Sequence, residues 1–253
     1  MLSKFQIKEH SKYAVYTHLF SCFAVVFLST LIPTVVLSAA LSHHISGFDM
    51  NSINFTDFLT GALDASSVTF KRTLEFIEGF GKVYLFYIFA ELINLPFKYC
   101  VMRYFLVLSG TPADRKCSFA VFFSGSENIS AFLKGAFVIL ITDILSAIGI
   151  IVGYFPIYLA LCMAPFYIAI DGKTGVFKAL SKSRALMKGN KMAAFSILLE
   201  FILVRLGASL LSSFGLGFIS LIIDTMAYAL FNTTLAVIFV RLDRAKNETA
   251  SLE

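Results

Sequence analysis

Tryptophan is missing from this sequence altogether, and charge is scarce. Only 15% of its 253 residues are Asp, Glu, Lys or Arg, whereas soluble domains carry about 25%. A water-facing surface of ordinary polarity is therefore excluded. Without Trp, any aromatic belt at a membrane interface falls to the 28 Phe and 10 Tyr. The four cysteines, Cys22, Cys100, Cys117 and Cys162, lie far apart, with no CxxC and no Cys/His ligand spacing. Neither a structural disulfide nor a metal site is expected. The adjacent pair His43-His44 reads as solvated. The signatures HExxH, GxSxG, Walker A and GxGxxG are all absent. No enzyme activity, cofactor or nucleic-acid partner is expected, and no repeat or low-complexity run is visible.

Apolar residues are abundant instead. They make up 58% of the chain and give a mean hydropathy of +0.81. They fall in long blocks, which read as membrane spans of about 20 residues each. The sequence predicts an all-α polytopic integral membrane bundle, a single domain over 1–253. Six spans are expected, at about 14–41, 82–108, 132–153, 154–170, 193–213 and 216–240. The first block is too long for a signal-peptide core of about 7–15 residues, so it reads as a retained span. The segment 132–171 is short enough to be either two crossings or a re-entrant hairpin. Pro33, Pro96, Pro156 and Pro165 lie inside these blocks, so kinked helices are expected. Gly149 and Gly153 suit close helix packing. Between the first two spans, Phe58, Leu59, Leu63, Phe70, Leu74, Phe76 and Ile77 are spaced loosely as an amphipathic helix.

Orientation follows from the loops. Lys4, Lys8, Lys12, Arg115, Lys116, Lys134, six basic residues of 172–192, Arg241, Arg244 and Lys246 share one face, against Lys71, Arg72 and Lys82 on the other. Positive charge marks the cytoplasmic side, so both termini are expected there.

The 172–192 loop is distinctive. Thr174 can cap a helix that Gly189-Asn190 stops. Val176, Phe177, Leu180, Ser183 and Met187 form its mainly apolar face. Lys178, Lys182, Arg184, Lys188 and Lys191 give it positive charge, with no acid between Asp171 and Glu200. Such a helix is expected to lie in the cytoplasmic interface, either as a topology anchor or as a contact for anionic lipid headgroups or a protein partner.

The same region carries a resemblance. Met163-Ala164-Pro165-Phe166-Tyr167, Ala179-Leu180, Ser183, Leu186-Met187-Lys188-Gly189-Asn190-Lys191 and Phe195 resemble the bacterial membrane proteins of domain-of-unknown-function family 975. Ile7-Lys8 and the Gly215-Leu216-Gly217 turn fit the pattern as well. The chain departs from it after Phe201, where Val204-Arg205 stands in place of a Trp region, and again at Ile223-Asp224, in place of a Pro-Tyr pair. The resemblance implies a multi-span helical protein of a bacterial plasma membrane and no particular activity.

Ionisable residues deep in spans are expensive and point to function or packing. At 1.5 Å rise per residue, Arg205 and Asp224 lie about 18 Å from the cytoplasmic edge, Glu91 about 17 Å, Asp143 about 15 Å and Glu200 about 10 Å. Glu200 and Arg205 are about 140° apart on their helix, so they do not pair with each other. Asp224, at the same depth on the next span, is the expected partner of Arg205.

Three functions are compatible with these features. A structural or accessory protein acting through partners, lipids or self-association asks least of the sequence. A small transporter or channel-like protein would use the midplane charges. A lipid-modifying enzyme would need a polar cluster at headgroup depth. The orientation is directly testable. In a background without native thiols, Ser251→Cys should resist impermeant reagents in intact cells and Asn54→Cys should label. The opposite pattern would reverse the topology.

Overall fold

A computed structural model describes residues 4–44, 68–110, 117–124, 128–148 and 154–250. Among them are ten helices and no strand: α1 Lys4–Thr17, α2 Leu19–His44, α3 Val68–Gly110, α4 Ala120–Ser124, α5 Ile129–Ile148, α6 Tyr154–Leu161, α7 Ala164–Ile170, α8 Val176–Met187, α9 Lys191–Ser213 and α10 Gly217–Ala250. The proposed amphipathic stretch at 58–67, the pair Gly149 and Gly153, and the side chains of His43 and His44 lie outside the described residues.

Four helical stretches are long and apolar enough to cross a membrane: Gly81–Gly110, Ile129–Ile148, Lys191–Leu211 and Gly217–Lys246. A fifth arises if the bent pair α1 and α2 counts as one span. These apolar helices point to a membrane-embedded protein. Residues 154–170 make two short helices parted at Cys162-Met163, not one continuous span. Pro165 sits in the first turn of α7, where its missing N–H is no loss. It starts a helix there and does not kink one.

The first block also differs from expectation. The chain turns by 90° between α1 and α2, at His18, with neither proline nor glycine nearby. Ser11, Thr17 and Ser21 donate their hydroxyls back to carbonyls of the preceding turn, which loosens a helical ladder. His18 Nδ1 accepts the Cys117 N–H at 3.4 Å. α1 buries Ile7, Ser11, Ala14 and Val15 on one face, the repeat of an amphipathic helix. Residues 4–17 thus form a separate helix that packs on α10.

The contacts divide the chain into two compact units. One comprises Met1–Ser29 with Leu95–Glu253, the other Thr30–Asn94. In the smaller unit, α3 carries an exposed Glu78–Lys82 ion pair at 2.7 Å. The larger unit holds the continuous core, and phenylalanine fills much of it. Phe166 stacks on Phe239 at 5.3 Å, and Tyr167 meets the same ring edge-on at 5.0 Å. Phe155 meets Phe195 at 5.3 Å, and Phe201 meets Phe231 at 6.5 Å. The four cysteines are buried free thiols, behaving as small apolar groups.

The helix ends follow local chemistry. Asn128 accepts the Ala131 N–H at 3.1 Å and opens α5. Between α9 and α10, Gly215 takes φ +80°, and the Leu216 N–H reaches back to the Leu211 carbonyl at 3.1 Å. This is a Schellman closure, which needs a left-handed residue. It makes α9 and α10 a tight hairpin, reinforced where Ser220 donates to the Ala208 carbonyl at 2.6 Å.

At Gly135 of α5 an added Cβ would run into the ring of Tyr99 of α3, which is itself buried and edge-on to Phe132. Gly135→Ala should therefore destabilise the protein by about 1–3 kcal/mol through overpacking. Gly81→Ala, with nothing within 4 Å, should not. Thermal unfolding in detergent reads the difference, and equal midpoints would contradict the packing described.

Candidate functional site

The hairpin closed at Gly215 sets two helices side by side with Arg205 and Asp224 nearly equidistant from the turn. Both lie about 13–15 Å from it by helical rise, half the thickness of a hydrocarbon core of about 30 Å. Their side chains meet. Arg205 Nε donates to Asp224 Oδ1 at 2.6 Å and Nη2 to Oδ2 at 3.4 Å, the two-pronged arrangement guanidinium favours. The Arg205 guanidinium carbon also stands 5.6 Å from the centre of the Tyr228 ring, one turn beyond Asp224, within cation–π range.

The surroundings of this pair are unusual. It lines a groove of about 640 Å³ with Ile202, Leu206, Ser209, Gly217, Ser220 and Leu221. All of these belong to the two hairpin helices. The groove is open: Arg205 is 49% and Asp224 38% exposed. A lone Arg or Asp at the centre of a spanning helix costs about 2.5–3.5 kcal/mol on insertion scales. Pairing offsets part of that cost and leaves a polar spot on an apolar flank.

The five deep charges proposed from sequence have different neighbours. Glu200 pairs with Lys8 of α1, so it ties the N-terminal helix to α9. Asp143, on α5, lies close enough to Tyr154 and Tyr158 to act on both electrostatically. Lys98 of α3 acts on the same Tyr154 with the opposite sign. Glu91 belongs to the smaller unit, half-buried on α3. Lys98 is a further deep charge beyond the five named from sequence, and its position within the 82–108 block is signal enough to find it. Counted from the end of its span it lies about 15 Å deep, level with Asp143. One turn apart on α5, Thr142 Oγ1 and Ser146 Oγ are buried without a hydrogen-bond partner among the described residues.

A second polar assembly surrounds α8. Its buried face is Ala179, Ser183, Leu186 and Met187, while Phe177 is 80% exposed. The apolar face expected to meet lipid instead packs on α5, α6 and α7, and Ser183 Oγ donates to the Ala160 carbonyl at 2.8 Å. Thr174 is not the cap. Gly175 occupies that position, and the Thr174 hydroxyl donates to Asp171 at 2.9 Å. That bond and one from the Lys173 N–H hold the Asp171 carboxyl below its ordinary range. Gly189, at φ +82°, ends the helix, with the Asn190 amide on the Leu186 carbonyl at 3.3 Å.

The basic residues of this region divide accordingly. Lys182 turns back over the Tyr167 ring at 5.3 Å, and the Tyr167 hydroxyl donates to Asp243 of α10 at 3.1 Å. Lys191 is half-buried, whereas Lys178, Arg184 and Lys188 are exposed. Lys134 reaches the Gly172 carbonyl at 3.1 Å, Arg103 reaches the Ser124 carbonyl, and His10 meets the Ser109 carbonyl at 3.2 Å. Interhelical contacts of basic residues therefore gather the ends of α3, α5 and α7 with α1, α8 and the last part of α10.

No family model, curated protein or solved structure matches the chain, so the site is read from its own residues.

The pair makes a quantitative demand. Removing one partner leaves a charge uncompensated, the costly outcome for an ion pair in an apolar setting. Arg205→Met and Asp224→Leu should each lower the thermal midpoint in detergent. The double variant should recover much of the loss, giving a coupling energy of about 0.5–3 kcal/mol. Additive losses would mean that the two side chains do not depend on each other.

Proposed function

We propose that this chain is a multi-pass protein of a bacterial plasma membrane and serves as a structural or accessory component, acting through contacts within the bilayer and at its cytoplasmic surface. The observation that carries this reading is the openness of the Arg205–Asp224 groove. A pathway would place deep charges in an enclosed cavity between helices. Here they stand on the outer flank of a hairpin, 49% and 38% exposed, where another membrane segment can reach them.

In this reading the chain crosses six times with both termini in the cytoplasm. α1 lies along the inner surface and α2 makes the first crossing. α6 and α7 together make a short one of about 25 Å. The positive bias of the loops supports this orientation, as does the grouping of basic side chains around α1, α8 and the end of α10. Lys178, Arg184 and Lys188, exposed on α8, would face anionic headgroups there. The resemblance of 163–195 to family 975 supports the bacterial setting.

One observation favours transport as a second reading. The hydroxyls of Thr142 and Ser146, buried and without a partner among the described residues, flank Asp143 in sequence, and such groups ordinarily bond to water when protein offers nothing. A flux measurement separates the two. The accessory reading expects proteoliposomes containing the wild-type protein to pass protons and monovalent cations no faster than protein-free vesicles, and Asp143→Asn to change nothing. Flux in the wild type that Asp143→Asn abolishes would replace the accessory reading with the transport one.

A further inference from the structure

We propose that the α9–α10 face is the interface of a homodimer, in which Arg205 and Asp224 of one copy meet Asp224 and Arg205 of the other. The inference rests on the accessory reading and names its partner. Three observations carry it.

The first is the setting of the pair. The candidate span in α9 is 22% buried, against 56% for that in α10. Leu206, which lines the same groove, is 58% exposed. Lipid tails can cover leucines but offer nothing to a guanidinium and a carboxylate at that depth. Arg205 also carries more donors than the two oxygens of Asp224 take up.

The second is charge complementarity. The exposed spot holds one positive and one negative group side by side at nearly equal height in the hairpin. A partner must present the same two signs, reversed, at matching depth. A second copy related by a two-fold axis along the membrane normal supplies this by symmetry, because such an axis preserves height and exchanges sides. A lipid headgroup or a helix with a single charge satisfies only half of it.

The third is the room for close approach. The groove floor is made of small side chains on both helices. Ser209, Gly217 and Ser220 line the groove. Small residues let spanning helices pack near enough for polar groups to bond across them.

The test uses full-length chains in native membranes. In a background without the four native thiols, Leu206→Cys and Ser209→Cys, both in the groove, should each form a disulfide-linked dimer on mild oxidation, and Ile144→Cys on α5 should not. For charge, two differently tagged copies carry Arg205→Asp and Asp224→Arg. Each variant alone should lose self-association, and the two co-expressed should recover it as a mixed dimer, since two acids then face two bases. The cysteine series, which leaves Arg205 and Asp224 in place, keeps the proposal testable if either charge variant fails to fold. Three outcomes would overturn it: no cross-link at 206 or 209, a cross-link only to another protein, or a mixed pair of folded variants no better associated than either variant alone. A monomer that passes no ions would sink the dimer and leave the accessory reading standing. A dimer that conducts would do the reverse.

Discussion

A guanidinium and a carboxylate facing each other halfway along two spanning helices place the strongest single constraint on this protein. In hydrocarbon neither ion is tolerable alone, so α9 and α10 must lie at fixed height and rotation for Arg205 Nε to reach Asp224 Oδ1 at 2.6 Å. The left-handed Gly215 and the Schellman closure set the height. The Ser220 bond to Ala208 sets the approach. With the hairpin fixed, Glu200 is carried to where it meets Lys8, and α1 is held against the remainder of the larger unit. The hairpin thus connects an exposed polar spot midway along its helices with the basic assembly toward their other end.

Much of this hairpin was legible in the sequence. A Gly-Leu-Gly turn between two apolar blocks, and one base and one acid at matched depth, are enough to pair Arg205 with Asp224. The alternation of basic and apolar segments located most helices, because length and hydropathy are what a bilayer selects. Boundaries were less legible. α3 begins well before the apolar run, and α10 continues well beyond it to Ala250. A helix already nucleated in the apolar run can propagate into polar residues, since each added residue closes one more backbone bond.

Other features were hidden for physical reasons. The right-angle turn at His18 carries no Pro or Gly, and hydroxyl back-bonding and the Cys117 contact appear only in the folded chain. Helical periodicity marks an apolar stripe on α8, but not whether lipid or protein covers it. Ser183 bonding to Ala160 fixes the register and turns Phe177 outward. Lys8 was read only as a topology signal, although a lysine at the membrane edge can reach inward along its own stem. Lys98 was hidden in plain view, its depth matching Asp143.

The central claim is one of depth: the Arg205–Asp224 pair stands in the middle of a bilayer, on a flank open to it. A nitroxide attached through Val204→Cys, beside Arg205 and 46% exposed, measures this by power saturation in lipid vesicles. Strong relaxation by oxygen and weak relaxation by a water-soluble nickel chelate would place the label near the bilayer centre, as this account predicts. Strong relaxation by the nickel chelate would put it in water or at the headgroups, and the account would be contradicted.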